Sequence, residues 1–530
     1  MRLRHTRLRF RFASRGTRFA PSCLAPSTTL RRGRMRRSVL VALLALAGAC
    51  RERPDVAGPQ RAAPRLEANV LDPALSTALA SAAPTTTLEV IVNYDETVTT
   101  RDAVTNSMLN LGAGVVQFKN LELVAGLATP AQINAIAALP GVQSVYLNKQ
   151  LQYYGRPGGL YTLLLHESVP TIRADAVQAM GITGKGMGIA ILDSGIDGLY
   201  NPDLVYPTHT VQNVKVIFNL SDVVTFKGPA PKPLKQGVDI FAENLPNSET
   251  SVGHGTHVAG ITAALGTASG GYYTGVAPGA NVVGVGTGDV LFIFFALAGF
   301  DYILEHQQAY NIKAVNNSWG TSGAFDPKDP INKASKTVHN HGITVVFAAG
   351  NDGPDQNTLN PYSVAPWVIG VAAGCKLVSP DPTNSAIHCA DQTGQNRAPI
   401  LADFSSRGVS GDPLYHPDIT APGVHIVSTR ASTGTVLNGL DANHDFNLTS
   451  TCAISAANEP FYTCASGTSM ATPHVVGVVA LMQQAAGGTL TPDQVAKAIT
   501  STARPLPGFA LWEVGAGYLD ALAAVNAVKR

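Results

Sequence analysis

Charged side chains are scarce in this chain of 530 residues, where Asp, Glu, Lys and Arg together make up 14%. So low a charged fraction argues against a disordered protein and against a nucleic-acid-binding protein. The formal net charge of +2 does not alter this, because residues 1–50 hold 12 arginines and no acidic residue. The rest of the chain has 26 basic and 36 acidic side chains, a charge of −10. We therefore expect no nucleic-acid partner.

The apolar run of the N-terminal segment is too short to span a bilayer. Val39 to Ala49 follows Met35-Arg36-Arg37, which is the layout of a signal peptide. We therefore predict a leader over residues 1–50, with Met35 as a candidate true start. Leu46 to Cys50 loosely matches a lipoprotein box, so lipidation at Cys50 and ordinary cleavage near Ala49 both stay open. Either route predicts a secreted or periplasmic protein, or an outer-membrane lipoprotein, with membrane contact only if Cys50 is lipidated.

Cysteine is also rare, and only four remain after the leader: Cys375, Cys389, Cys452 and Cys464. An even number of cysteines fits an exported protein, and four allow three pairings. The pairs that close short loops, Cys375–Cys389 and Cys452–Cys464, are the ones we favour.

Apolar residues (45%) and 51 glycines are, by contrast, plentiful, which predicts a large α/β core with many tight turns. Three segments contain residues whose side chains are suited to catalysis. Ser469 lies among small residues just before the apolar run Val475 to Met482, as at the start of a buried helix. Asp193 ends a buried strand, Gly188 to Leu192, and His254 opens a small-residue helix. Functional groups in open α/β sheets collect at the carboxyl ends of strands.

The order Asp193, His254, Ser469 resembles that of the subtilisin-like serine peptidases, the subtilases. Val345 to Gly353 adds a strand that ends in Gly350-Asn351, where the family has an asparagine that donates to the oxyanion. The resemblance implies that Ser469 is the nucleophile, His254 the general base, Asp193 its orienting acid, and that Asn351 and the Ser469 N–H hold the oxyanion. It also implies that catalysis needs no metal or organic cofactor.

The same resemblance implies that a peptide substrate binds as an added strand. The candidate edges are Val283 to Gly288 and Asn317 to Gly320. The predicted substrate-binding residues are Ser318, Trp319, Gly320, Ala349 and Gly350. Trp319 has two interpretations, a pocket residue or a buried anchor of its strand.

Two groups of side chains, a histidine pair and a run of oxygen-bearing residues, are candidates for a metal site. His254 and His257 form an His-x-x-His pair, but no glutamate completes a zinc motif, so we predict that His257 is structural and that His474 is packed. Asp441, Asn443 and Asp445 alternate oxygen-bearing side chains, which makes structural calcium an open alternative to a solvated loop.

The segment before the peptidase motifs has its own pattern. Residues 51–85 are rich in Ala, Pro and Thr and predict a linker. Residues 86–150 show the order β-α-β-β-α-β of a ferredoxin-like fold and resemble the inhibitory propeptide of subtilases. Residues 149–168 are then the candidate tail and cleavage region, and the peptidase domain runs over 168–529.

These patterns predict an α/β protein: a subtilisin-like, mostly parallel sheet with helices on both faces, preceded by a small ferredoxin-like α+β propeptide. They predict an exported serine endopeptidase, a monomer that acts on polypeptides and matures by cleaving its own propeptide. Two alternatives remain, a catalytically silent subtilase fold that serves as a scaffold and a processing protease with a single partner.

Overall fold

The structure is a computed structural model that describes residues 70–154, 156–157, 168–226, 240–376, 389–390, 396–398, 401–434, 436–438 and 454–530. The predicted leader, Cys50 and the calcium candidates Asp441, Asn443 and Asp445 lie outside these residues, as does Cys452. Cys375 and Cys464 are each disulfide-bonded. The side chains of their predicted partners are not among those described, so the pairing stays a prediction.

The N-terminal part forms a small α+β domain. Its elements are α1 (Pro73–Ser81), β1 (Leu88–Tyr94), α2 (Arg101–Asn110), β2 (Gly114–Gln117), β3 (Leu123–Ala128), α3 (Pro130–Ala137) and β4 (Val142–Leu147). The four strands form one antiparallel sheet in the order β2-β3-β1-β4. This is the predicted ferredoxin-like arrangement, with strands and helices from β1 to β4 in the predicted order β-α-β-β-α-β.

The predicted linker over residues 51–85 is wrong in its last part. Asp72 caps α1, and Leu75 on that helix is fully buried in the core of the N-terminal domain. Val145 on β4 donates its N–H to the carbonyl of Val70. Residues from Val70 onward therefore belong to the domain, because an apolar side chain every few positions is enough to dock a short helix in an otherwise Ala-rich segment.

The larger part is an eight-stranded sheet. Its strands, with the short strands that flank it, are β5 (Gln150–Tyr153), β6 (Arg156–Pro157), β7 (Gly188–Asp193), β8 (Thr210–Val216), β9 (Phe241–Ala242), β10 (Asn281–Gly286), β11 (Leu291–Phe292), β12 (Ile312–Asn317), β13 (Trp319–Gly320), β14 (Thr344–Ala348), β15 (Ile369–Gly374), β16 (Cys389–Ala390), β17 (Asn396–Ala398), β18 (Ile419–Pro422), β19 (Ile426–Thr429) and β20 (Tyr462–Ser466). The sheet order is β18-β15-β14-β12-β7-β10-β8-β9, parallel except for the edge pair β8-β9.

Helices cover both faces of this sheet. They are α4 (Ser168–Thr171), α5 (Ala174–Ala179), α6 (Leu220–Phe226), α7 (His254–Ala263), α8 (Ile293–Tyr310), α9 (Pro330–Asn340), α10 (Thr468–Ala485), α11 (Pro492–Ser501), α12 (Leu511–Val514) and α13 (Ala521–Val528). On β7, Ile189 and Ile191 pack in the core with α7 and α10, and Ala190 and Leu192 pack in the core with α8 and α9. The alternation of side chains along a strand thus gives two cores, one on each face.

The N-terminal domain packs on the α8 and α9 side of the peptidase part. The Asp301 carboxylate on α8 accepts the backbone N–H groups of Lys119, at 2.8 Å, and of Asn120. The carbonyl of Lys328, just before α9, accepts from Asn93 at 3.0 Å and from Ser144 at 3.2 Å. Polar groups of β1 and β4 therefore fix the domain against the start of α9.

Candidate active site

Asp193 and His254 form a buried pair at the carboxyl end of the central strand β7. Asp193 Oδ1 accepts from His254 Nδ1 at 2.7 Å and from the Ser194 N–H at 2.8 Å. The two side chains are 1% and 3% exposed. The carboxylate thus selects the His254 tautomer that carries its proton on Nδ1, which leaves Nε2 free to accept a proton.

The turn before His254 needs glycine. Gly253 has φ +76°, and a Cβ there would meet the backbone of Gly434 at 2.9 Å. Only a residue without a side chain adopts this left-handed conformation at so close an approach without strain. The turn sets His254 at the first position of α7.

Glu249 is a site residue that the sequence motifs did not reveal. Its buried carboxylate accepts the Thr256 N–H at 3.2 Å and the Thr256 hydroxyl at 3.0 Å, at the start of α7. The Thr256 hydroxyl in turn accepts the N–H of Asp197 at 3.0 Å. Burial raises the pKa of Glu249. This network ties the loop after Asp193 to the helix that carries His254, and an acidic residue just before a helix is its only sequence signal.

Ser469 lies in the first turn of α10, directly after β20. Its hydroxyl donates to the Ser318 carbonyl at 2.9 Å, and the Ser318 hydroxyl donates to the Ser469 carbonyl at 3.0 Å. His254 Nε2 has no hydrogen-bond partner among the described residues. The acid–histidine pair is therefore formed, whereas the serine hydroxyl is turned toward Ser318.

The side-chain amide of Asn351 forms a hydrogen bond with the backbone of Tyr154, a residue of the same polypeptide that precedes the peptidase domain. Its Oδ1 accepts the Thr468 N–H at 3.0 Å and the Thr468 hydroxyl at 2.9 Å, so its Nδ2 faces the opposite way. Nδ2 donates to the backbone carbonyl of Tyr154 at 2.9 Å. Tyr154 comes just after β5, in the region predicted to hold the cleavage site.

Within the predicted region 149–168, residues 150–154 form a segment that ends in Tyr154, and only this segment is called the tail below. Its strand β5 lies between β11 and β13 and is antiparallel to both, with Tyr153 paired to Trp319 and Gln152 to Gly320. The Tyr154 N–H donates to the Ser318 carbonyl at 3.2 Å. Beyond the site, β6 pairs with Ala465 and Ser466 of β20. The chain is therefore held by strand pairing on both sides of Tyr154, through β5 before it and through β6 after it.

One of the two predicted binding edges, Val283 to Gly288, is wrong as a strand partner of the tail. Val283 to Gly286 belong to β10, which is paired on both sides within the main sheet, to β7 and β8. The edge that binds the tail is instead Leu291–Phe292. An apolar run fits an inner and an outer strand equally well, so the sequence could not distinguish them.

The predicted binding residues differ in how they meet the tail. Ser318 and Gly320 contact it through the backbone. The Trp319 backbone does too, but its side chain is fully buried, and its Nε1 donates to the Leu192 carbonyl at 2.8 Å. Trp319 is therefore the buried anchor of the two interpretations. Ala349 and Gly350 follow β14 and directly precede Asn351, and the Gly350 N–H donates to the Thr468 hydroxyl at 3.2 Å.

Gly467 makes room for the tail. A Cβ at this position would lie 2.3 Å from the Tyr154 carbonyl oxygen. Any side chain would displace that carbonyl from Asn351, so the residue before α10 has to be glycine if the tail is to bind in this way.

The other two histidines of the motifs are structural. His257 is fully buried, and its Nε2 donates to the carbonyl oxygens of Ile426, at 3.1 Å, and Thr463, at 3.2 Å. His474 Nδ1 donates to the Met470 carbonyl at 2.8 Å. Burial lowers the pKa of His257 to about 3 and that of His474 to about 4. Both are neutral at ordinary pH. Across the described ranges, no three His, Cys, Asp or Glu side chains group as metal ligands.

Comparison with known proteins agrees with this geometry. Residues 184–518, which contain Asp193, His254, Asn351 and Ser469, match the model of the subtilase family. The chain belongs to the subtilase family. It is a subtilisin-like serine endopeptidase.

Two curated subtilases illustrate the similarity. The serine protease AprX of Bacillus subtilis is 28% identical over 394 residues, which cover 72% of this chain and 73% of AprX. An extracellular protease of Xanthomonas campestris is 30% identical over 364 residues, 65% of this chain and 52% of that protein. This subtilase thus spans about half the length of the second relative.

A solved structure supports the fold. Fervidolysin from Fervidobacterium pennivorans, described as a keratinolytic enzyme related to subtilisin, aligns with a TM-score of 0.54 at 23% identity. The alignment covers 83% of this subtilase and 61% of fervidolysin.

Proposed function

We propose that this subtilase is an exported endopeptidase made as a zymogen that cleaves its own chain between Tyr154 and Gly155. The observation that carries the proposal is the hydrogen bond from Asn351 Nδ2 to the Tyr154 carbonyl, with strand pairing of the chain on both sides of that residue. A donor about 3 Å from a carbonyl oxygen is what an oxyanion hole requires.

In the proposed reaction, Ser469 Oγ attacks the Tyr154 carbonyl carbon while His254 Nε2 takes its proton. Asp193 orients the imidazole and stabilises its cationic form. Asn351 Nδ2 and the Ser469 N–H, which lies at a helix start and so lacks an intrahelical acceptor, hold the oxyanion. The bond from Tyr154 to the Gly155 nitrogen then breaks, and His254 protonates that nitrogen. Water hydrolyses the ester on Ser469.

The step before attack is a rotation of the Ser469 side chain. Its hydroxyl donates to the Ser318 carbonyl, which also accepts the Tyr154 N–H. Rotation about χ1 would release this bond and bring the hydroxyl toward His254 Nε2, whose acceptor position is unused. Rotation between staggered side-chain conformers is a small barrier, so this arrangement fits an uncleaved precursor.

The N-terminal domain is then the enzyme's own propeptide. We place it at about residues 86–150, extended at its start by the helix α1, and the peptidase domain at 168–529. Its contacts with Asp301 and Lys328 support this role, because they hold the domain in a fixed position while β5 extends from it into the cleft.

Export rests on the signal-like leader and on the disulfide-bonded state of Cys375 and Cys464. Among the described residues, no helix has the length and apolar character to cross a membrane. The proposal includes a monomeric state; it keeps both lipidation at Cys50 and cleavage near Ala49 as alternatives, and likewise both calcium and a solvated loop at Asp441, Asn443 and Asp445.

The test is to express the full chain as wild type and as Ser469→Ala, and to measure intact masses and new N-termini. We expect wild type to give a fragment that begins at Gly155, and Ser469→Ala to remain whole at this bond. Equal cleavage of both proteins would assign the cut to a host protease. A wild-type N-terminus at another position would refute the assignment of Tyr154–Gly155.

A further inference from the structure

The side chain of Tyr153, one residue before the proposed cleavage residue, is bound by a polar site. Its hydroxyl lies 2.6 Å from Thr287 Oγ1 and 3.0 Å from the Gly288 carbonyl oxygen. Its ring lies beside that of His254, with 5.4 Å between ring centroids and 38° between ring planes. The tyrosine thus covers the catalytic imidazole while its hydroxyl reaches the loop after β10.

Two arrangements of these hydrogen bonds are compatible with the geometry. Thr287 Oγ1 lies 3.1 Å from the Asp193 carbonyl oxygen and 2.6 Å from the Tyr153 hydroxyl, so Thr287 can donate its one proton to either oxygen. The Gly288 carbonyl can only accept, so it takes the Tyr153 proton when Thr287 donates to Tyr153, and Thr287 Oγ1 is a second acceptor when Thr287 donates to Asp193. Burial and the Asp193 charge raise the pKa of Tyr153, which keeps its hydroxyl protonated. In either arrangement the Tyr153 hydroxyl donates one hydrogen bond to this site.

Thr287 and Gly288 are held in place by backbone hydrogen bonds that do not involve the tail. The Thr287 N–H donates to the Asp193 carbonyl at 2.8 Å, and the Gly288 N–H donates to the Ser194 carbonyl at 3.0 Å. The loop is thus tied to the strand end that carries the catalytic acid. A preorganised polar site discriminates better than a mobile one, because no ordering cost offsets its hydrogen bonds.

We propose that Thr287 and Gly288 form a subsite that selects tyrosine at the position before the residue whose carbonyl is attacked. The preferred substrates are then polypeptide segments with tyrosine at that position, as in the Tyr153-Tyr154 sequence of the tail. A phenylalanine there would present an apolar ring edge to these polar groups and leave them without their hydrogen-bond partner. This inference rests on the proposed function, because it treats the tail as a bound substrate.

Two peptide p-nitroanilides test it, acetyl-Leu-Gln-Tyr-Tyr and acetyl-Leu-Gln-Phe-Tyr. They are cleaved by wild-type enzyme that has matured by processing of the full chain. We expect kcat/KM to be about tenfold higher for the Tyr-Tyr peptide, the value of one hydrogen bond of ordinary strength. Equal kcat/KM for the two peptides overturns the inference.

Two variants complete the test. Thr287→Val removes the hydroxyl but keeps the branched shape, and we expect it to lower the ratio of the two kcat/KM values. Thr287→Ser keeps the hydroxyl and should keep the preference. If Thr287→Val lowers both values by the same factor, Thr287 acts only through Asp193 and the proposed selectivity is wrong.

Failure of the underlying function gives a different result. If wild type cleaves neither peptide and its own chain also stays whole, the proposed self-cleavage and this subsite are both refuted. If the chain is processed at Tyr154–Gly155 and both peptides are cleaved equally, only the subsite is refuted.

Discussion

Replacement of Asn351 by alanine is the sharpest test of the catalytic geometry. In the structure, Asn351 Nδ2 bonds a neutral carbonyl at 2.9 Å, and such a bond contributes about 1 kcal/mol. In the reaction that oxygen becomes an oxyanion, and hydrogen bonds to charged acceptors are roughly twice as strong. Loss of one such donor lowers kcat by about 10²–10³, a range established on subtilisin itself.

We therefore expect Asn351→Ala to slow self-cleavage at Tyr154–Gly155 by about 10²–10³. The rate is measured as the first-order loss of full-length chain after refolding, by intact mass or gel densitometry. On peptides, KM should rise by less than about tenfold, because only the neutral bond is lost in the ground state.

Thr468→Val is the graded control. It removes one of the two bonds that orient the Asn351 amide, the hydroxyl bond of 2.9 Å, and leaves the backbone bond of 3.0 Å. We expect a loss of less than about tenfold, because the remaining bond keeps the amide oriented. Two outcomes would contradict the role of Asn351 in binding the oxyanion. One is a loss of cleavage rate smaller than tenfold at unchanged stability, and the other is an effect confined to KM.

Three other predictions test the surroundings of the site. Trp319→Phe removes the buried hydrogen bond to the Leu192 carbonyl. We expect it to lower the free energy of unfolding by about 1–3 kcal/mol and to leave the peptide preference unchanged. An altered preference at full stability would mean that the indole lines the cleft. Because burial lowers the pKa of His257 to about 3 and of His474 to about 4, the unfolded chain takes up protons first, so stability should fall as pH drops from about 6.5 toward 4. Urea midpoints of the Ser469→Ala chain measure this fall, which should be less steep with His257→Gln; equal slopes would contradict the assignment. Asp301→Ala removes the acceptor for the backbone N–H groups of Lys119 and Asn120. Since charge-assisted bonds contribute about 1.5–3 kcal/mol, we expect the lag between self-cleavage and peptide hydrolysis to shorten by about tenfold or more. An unchanged lag would show that these contacts do not retain the N-terminal domain.

Much of the fold could be predicted because its signals are local. The strands and helices of the N-terminal domain follow from apolar alternation and from caps such as Thr100 and Thr129. Asp193, His254, Asn351 and Ser469 lie in short motifs at strand ends and helix starts, and a motif can be recognised without its partners. The helix α1 was missed because its Ala- and Pro-rich composition is also that of a linker, and only the contacts of Leu75 with the domain decide between them.

What the amino-acid sequence determined by itself is therefore the set of chemical groups, their order and the two-part architecture. The tertiary structure alone decided which carbonyl meets Asn351, because strand register is set by pairing between residues far apart, such as Tyr153 with Trp319. It also decided that the Trp319 indole belongs to the core and that β10 is an inner strand, since burial depends on neighbours that no local pattern names. Residues such as Thr287 and Glu249 gain their roles only from such neighbours, at distances that the fold creates.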